Sequence, residues 1–336
     1  MYPDIPNLLS VVLVTVGLVV LAWSADLFVK SASTVAHAMG ISPFVIGMVV
    51  IGFGTSAPEL CVSALSGLSG HSGLSLGNAY GSDIFNIACI LGIAALIRPL
   101  AVKPAVVYAA VPALVAISVF SCLLVGMGDG VSRIDGVLQL VAFAVLLPLY
   151  CWFDQKTRSA DVSRPVEPGA QGVSKSAEPV GRAWMLLAVG LLLLVGSSHI
   201  LVLGSVDIAR ALGVSELLIG LTIVAVGTSL PELASAVASA RRGEHEFVLG
   251  NIIGSNFFNT LAVVGLAGAI SPFKDVSPYI ILRDMPVLVV LSLSIGLFGF
   301  NRRDPRSSGT VGRFYGAIWL LAFLIYMGVT IAQELR

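Results

Sequence analysis

Charged side chains are scarce in this chain: Lys and Arg number 19 and Asp and Glu 19 among 336 residues, 11% of the total. With 57% hydrophobic residues and a mean hydropathy of +0.96, that scarcity excludes a soluble globular protein of this length. A formal net charge of zero offers no basic field for nucleic acid, and no nucleic-acid partner is expected. Only four cysteines are present, Cys61, Cys89, Cys122 and Cys151, all in or at the end of apolar runs and without metal-ligand spacing. They read as small core residues, which excludes a disulfide framework. There is no HExxH string and no nucleophile-base constellation, so no enzyme and no bound cofactor are expected. A short apolar core with a cleavage site is also missing at the start, so Met1 is expected to remain and the first apolar run to direct insertion.

What is present is a series of about ten apolar runs long enough to cross a bilayer. They fall near 9–29, 43–67, 74–97, 104–127, 131–152, 183–204, 215–240, 247–270, 280–299 and 312–332. Lipid offers no partner to exposed backbone polar groups, so each run is predicted to be a helix. One long polar stretch, 154–182, separates residues 1–153 from 183–336 and reads as a linker. Threading the ten spans with the N-terminus outside puts 14 Lys and Arg on the linker side and five on the other. By the positive-inside rule the linker is cytoplasmic and both termini are extracytoplasmic, in a cell (inner) membrane.

The residues from Gly40 to Pro99 align with those from Gly213 to Pro272 without a gap, with 23 identities in 60 positions. Since each half has five spans, an odd number, the second copy must cross in the opposite sense. The predicted architecture is an all-α polytopic membrane protein of two inverted five-helix repeats, with a substrate site near the midplane. A monomer is compatible with this plan, and the oligomeric state stays open.

Each copy carries Gly-Thr-Ser-X-Pro-Glu-Leu, at Gly54 to Leu60 and Gly227 to Leu233. An acidic side chain at a membrane helix centre costs roughly 2.5 kcal/mol or more, so Glu59 and Glu232 at equivalent places imply a site. Pro58 and Pro231 loosen the helix one turn earlier and free carbonyls at Gly54 or Thr55 and at Gly227 or Thr228. On a helical wheel Gly52, Thr55, Ser56 and Glu59 share one face, as do Ala225, Thr228, Ser229 and Glu232. A second repeated string follows. Asn78, Ser82 and Asn86, and Asn251, Ser255 and Asn259, form stripes of side-chain oxygens at four-residue spacing. Gly77 with Gly81, and Gly250 with Gly254, are GxxxG pairs that let the helices approach closely. Two carboxylates among neutral oxygens suit a hard cation, calcium more than magnesium, while the surplus neutral oxygens suit monovalent ions. Asp83 has no acidic counterpart, since Asn256 occupies its place in the second copy; it lies one position off the stripe and is read as either an accessory site or pathway carboxylate or a local helix partner. Elsewhere, Asp26 and Lys30 are expected to pair along one helix. His37, His71 and His245 read as loop or helix-end residues and His199 as a core residue. Trp23, Trp152, Trp184 and Trp319 read mostly as belt residues at span ends.

These paired strings resemble the two alpha repeats of the cation/calcium exchanger superfamily, above all prokaryotic sodium/calcium exchangers, over nearly the whole chain. The resemblance implies a sodium/calcium antiporter. It implies calcium at Glu59, Glu232 and the carbonyls of Thr55 and Thr228, and sodium at Gly52, Ser56, Ser82, Ala225, Ser229 and Ser255. Asn86 and Asn259 of the stripes join the sodium set. Some members, potassium-dependent exchangers among them, have aspartate where this chain has Asn259. Proton-coupled or potassium-dependent antiport, and a cation channel, are the alternative readings.

Overall fold

The computed structural model describes residues 8–68, 72–127, 130–161, 179–213, 225–274 and 276–334. Helix α1 is Leu8–Met39. A bent pair follows, α2 over Pro43–Thr55 and α3 over Ala57–Leu68. Next come α4 (Ser75–Ile97), α5 (Val106–Gly126) and α6 (Arg133–Asp161). The rest comprises α7 (Val180–Ala211), the short α8 (Ala225–Thr228), α9 (Leu230–Arg242), α10 (His245–Ile270), α11 (Ile280–Gly299) and α12 (Arg313–Glu334). Among the described residues, eight helices are long and apolar enough to span a bilayer, nine if the bent pair counts as one span. The expected span 215–240 begins in 214–224, and most of the linker is 162–178; both stretches, and His71, lie outside the described residues.

The duplication recurs in local geometry. Wide π turns occur at Phe85–Leu91 and Phe258–Val263, inside α4 and α10, and again at Val106–Ala110 and Ile280–Asp284, which open α5 and α11. The aligned copies begin at Gly40 and Gly213, with φ of 64° and 77°. Each lies just past a long helix, where a left-handed residue closes the last turn and glycine does so without strain. Four short strands tie the copies together. Leu100–Val102 (β1) pairs antiparallel with Gly309–Val311 (β4), and Gly130–Val131 (β2) with Phe273–Lys274 (β3).

Helices α1 and α7 pack against each other along their length. A Cβ at Gly17 would stand 3.0 Å from Leu201, and one at Gly190 3.0 Å from the Phe28 backbone. Each glycine thus meets the residue aligned with the other's neighbour. Behind them, Leu21, Phe28, Ile51, Leu194 and Phe247 form one core cluster, and the larger one runs through α4, α5, α10 and α11. α10 is buried over most of its length, whereas α6 and α12 turn Leu138, Leu149, Leu321 and Leu324 outward, as lipid-facing helices do.

Several sequence readings are corrected. Trp319 is 1% exposed, and its indole donates to Ser294 Oγ at 2.7 Å. It is a core residue because its one polar atom finds a partner inside. His199, read as core, is exposed on α7, and Cys61 is exposed on α3. Asp26 reaches across to Arg242 of α9 at 3.2 Å, a pairing along sequence spacing cannot reveal.

Candidate functional site

Local sequence sets the break from which the site is built. Pro58 has no N–H to give a continuing helix, so α2 stops and α3 starts anew one residue later, bent by 43°. Ser56, with φ −83° and ψ 5°, is the joint. Its carbonyl accepts the Leu60 N–H at 3.1 Å, closing the first turn of α3, where proline's missing donor costs nothing. Ser229 has the same position in the second copy: φ −93°, ψ 11°, and a carbonyl accepting the Leu233 N–H at 3.1 Å. The sequence reading of one continuous loosened helix is therefore corrected. Gly52, Thr55 and Ser56 do not share an unbroken face with Glu59, because the chain turns between them.

What the break accomplishes is an exchange between copies. Ser56 Oγ donates to Glu232 Oε1 at 3.0 Å, and Ser229 Oγ donates to Glu59 Oε1 at 3.1 Å. Ser229 Oγ also lies 3.1 Å from Ser82 Oγ. Thr228 lies beside Glu59, and Thr55 and Ser255 beside Glu232. Thr55, Ser56, Glu59, Ser229, Glu232 and Ser255 are all 0% exposed, and Ser82 is 3%. Both acids are thus dry, and each is held by the hydroxyl of the opposite copy.

Asn78 and Asn251 serve as braces. Asn251 accepts from Thr55 Oγ1 at 3.3 Å and donates to Ser235 Oγ at 2.9 Å and to the Glu232 carbonyl at 3.3 Å. Thr228 Oγ1 reaches Asn78 Oδ1 at 3.5 Å. Gly52 packs its Cα face on the Gly254–Ser255 backbone, and its carbonyl accepts the Ser56 N–H at 3.0 Å. Ala225 opens the short α8. Asn86 and Asn259 sit inside the π turns rather than on a straight helical stripe. The extra residue per turn re-aims them, a frequent use of such bulges.

Buried polar atoms are normally hydrogen-bonded, so the exceptions mark what the site is for. Among the described residues, Glu59 Oε2, Glu232 Oε2, Asn86 Oδ1, Asn259 Oδ1, Ser255 Oγ and Asp83 Oδ1 have no partner. A set of unpartnered buried oxygens from both copies, three of them carboxylate, has the chemistry that a hard cation takes. No group of three or more His, Cys, Asp or Glu side chains clusters as metal ligands among the described residues, so neutral oxygens must complete any shell.

A profile of the sodium/calcium exchanger protein family matches residues 9–152 and 182–332. The chain belongs to that family. It is a multi-pass membrane antiporter of the cation/calcium exchanger superfamily, similar to prokaryotic sodium/calcium exchangers. The inner membrane protein YrbG of Escherichia coli is 36% identical over 96% of this chain and 97% of its own. The sodium/calcium exchanger MaX1 of Methanosarcina acetivorans is 31% identical over 84% of this chain and 89% of its own. A solved structure of the sodium-calcium exchanger NCX_Mj, soaked with sodium and strontium, superposes with a TM-score of 0.78 at 31% identity, covering 96% of this chain and 98% of that one.

Sequence reasoning missed Asn256 and Thr260. Asn86 Nδ2 donates to Asn256 Oδ1 at 3.0 Å, and Thr260 Oγ1 donates to Asp83 Oδ2 at 2.7 Å. The available signal was that both positions differ between the aligned copies.

Proposed function

We propose that this exchanger family member extrudes calcium in exchange for sodium by alternating access, the two ions competing for the Glu59 and Glu232 centre. The observation that carries this reading is the set of unpartnered oxygens around two buried carboxylates, each carboxylate held by a serine from the other copy. Two glutamates neutralise one divalent ion. The hydroxyl, amide and carbonyl oxygens beside them suit monovalent ions that arrive once the divalent ion leaves. In this scheme calcium takes Glu59, Glu232 and the carbonyls of Thr55 and Thr228. Sodium takes oxygens of Gly52, Ser56, Ser82, Asn86, Ala225, Ser229, Ser255 and Asn259.

The frame for this chemistry is ten spans in two inverted five-helix repeats, residues 1–153 and 183–336, joined by a cytoplasmic linker at 154–182. The charge distribution supports an inner-membrane orientation with both termini extracytoplasmic. The strand pairs β1–β4 and β2–β3, each joining one copy to the other, support the two-fold relation. The likeness to MaX1 and NCX_Mj, both sodium/calcium exchangers, supports the choice of ions.

The test is calcium entry into liposomes carrying the purified protein and an internal calcium dye, under outward sodium, potassium or proton gradients of equal size. Sodium alone should drive entry, and Glu59→Gln or Glu232→Gln should lower it by about a hundredfold or more, since losing one charged ligand with its hydrogen bonds costs about 3 kcal/mol. A correctly folded variant that kept most of its flux would overturn the two-glutamate centre. Entry driven only by protons would make the chain a proton/calcium antiporter.

A further inference from the structure

The loops that join the last two helices of each copy are unequal. In the first copy residues 127–132 lead from α5 to α6; in the second, residues 300–312 lead from α11 to α12, more than twice the length. The longer loop carries Arg302, Arg303 and Arg306 against one acid, Asp304, whereas the shorter has a single charge, Asp129. Strand β4 pins the far end of the longer loop to β1. A Cβ at Gly309 would collide with the Gly299 carbonyl, so glycine is what lets the loop lie on the end of α11. The loop also holds its own shape. Asn301 Oδ1 accepts the Arg303 and Asp304 N–H groups at 3.0 and 3.2 Å, and Asn301 Nδ2 donates to Ser307 Oγ at 2.7 Å. Asp304 Oδ1 accepts the Arg306 N–H at 3.0 Å, so the one acid of the loop is engaged with backbone.

Between this loop and the ends of α11 and α12 lies a cavity of about 590 Å³. Arg302, Arg303, Ser308 and Thr310 give it a polar lining, and Leu297 and Phe300 an apolar one. Phe298 of α11 and Tyr315 of α12 also line it, and their rings stack at 4.4 Å. Other cations on this side are engaged: Lys103 pairs with Glu246, Arg242 with Asp26, and Arg313 Nε donates to the Leu96 carbonyl at 3.1 Å. Among the described residues, Arg302 and Arg303 form no ion pair and their guanidinium groups no hydrogen bond. Leu297 is 69% exposed, and Leu293 and Val290, four and seven residues earlier on the same face of α11, are exposed as well. The cavity therefore sits at the end of a lipid-facing stripe, on the linker side of the chain, where a bilayer has its headgroups.

We propose that this cavity binds the headgroup of an anionic phospholipid, its phosphate held by Arg302 and Arg303 and an acyl chain laid along Leu297, Leu293 and Val290. The guanidinium fork matches phosphate oxygens two at a time, and basic pockets between membrane helices on the cytoplasmic side take such headgroups. A free phosphate would use the arginines and leave the exposed stripe and the aromatic lining without a role. A zwitterionic lipid would bring an ammonium group beside two cations. Because α11 and α12 both line the cavity, an occupant ties them together, and a ligand that binds the folded state alone stabilises it. The inference stands apart from the antiport reading, since binding is read by stability and not by flux.

The experiment follows thermal unfolding of the purified protein in detergent while phosphatidylglycerol, phosphatidylcholine of the same acyl chains, or inorganic phosphate is titrated in. Phosphatidylglycerol should raise the melting temperature to a plateau, and phosphatidylcholine should need at least about ten times the mole fraction for the same rise. Replacing Arg302 and Arg303 together by Gln should raise the half-saturating mole fraction of phosphatidylglycerol about thirtyfold, since each arginine at a membrane surface contributes about fivefold. Arg306→Gln, which removes a charge from the same loop but not from the cavity lining, should shift it by no more than about twofold. Equal shifts from Arg306→Gln and from Arg303→Gln alone overturn the site in favour of a general positive field around the loop. Matching titrations with the two lipids overturn recognition of charge, and stabilisation by inorganic phosphate equal to that by phosphatidylglycerol overturns the lipid as occupant. Should the double variant fail to fold, unshifted Arg302→Gln and Arg303→Gln single variants overturn the proposal.

Discussion

The buried acids of this protein fall into two regions that treat the duplication in opposite ways. Around Glu59 and Glu232 the hydrogen bonds that cross between the copies come in mirrored pairs: Ser56 to Glu232 and Ser229 to Glu59, Thr55 to Asn251 and Thr228 to Asn78. Around Asp83 the mirror fails, since its partner Thr260 and its flanking Tyr80 align with Ile87 and Ile253. Under alternating access, a carrier made of two inverted copies exchanges their roles when it changes facing. A mirrored centre presents the same ligands in both states.

The comparison is broken most severely by unequal serines. Ser56→Ala and Ser229→Ala each remove a hydrogen bond to a buried carboxylate, worth about 1.5 to 3 kcal/mol, and should each weaken calcium exchange by about ten- to a hundredfold. If the centre is mirrored, the two losses measured by vesicle flux agree within a few-fold. A difference of more than about tenfold would mean that the two copies do not contribute equally.

The mirrored centre was the part the sequence revealed, because it rests on identities: the Gly-Thr-Ser-X-Pro-Glu-Leu strings, the stripe asparagines and the prolines. The apolar runs announced the helices for the same reason, as lipid tolerates little else. What escaped were consequences of tertiary placement. A wheel drawn on Gly52 to Glu59 cannot show that Pro58 ends one helix and starts another, nor that Ser56 then reaches the other copy's glutamate. The π turns at Asn86 and Asn259 leave no mark in periodicity. Trp319 looked like a belt residue until Ser294 was seen to satisfy its indole. The roles of Asn256 and Thr260 leave no repeated signal, because these are positions at which the two copies differ.

A smaller effect is expected where the second copy's paired glycines let two helices touch. Gly250 and Gly254 lie against the α2 backbone, and a Cβ at Gly254 would stand 2.6 Å from the Met48 Cα. Gly254→Ala is expected to destabilise by about 1 to 3 kcal/mol, since backbone must move to admit the methyl group. Thermal unfolding in detergent reads it, and an unchanged melting temperature would mean that this helix contact is not needed for stability.

The smallest expected effect lies at the cytoplasmic loop of the proposed topology. Glu244 follows Gly243, whose φ of 76° closes α9, and its Oε2 has no partner among the described residues. Burial pushes its carboxyl up to about 7; Arg242 opposes the rise, Asp26 adds to it, and Ser33 opposes it with a hydrogen bond. Arg242 is itself engaged with Asp26 at 3.2 Å, which leaves it less able to offset the burial. A carboxyl raised in the folded state binds more protons there than in the unfolded chain between its ordinary value of 4.5 and about 7. Its contribution to stability is therefore full below pH 4.5 and is lost as pH rises through 7. Glu244→Gln, which cannot ionise, should flatten the fall in melting temperature across that window while leaving calcium flux near pH 8 within about twofold, surface-loop changes of this kind being small. A variant whose melting temperature still falls as steeply as the wild type's would place the titration at another group, while an altered sodium dependence at fixed pH would tie this loop to ion entry.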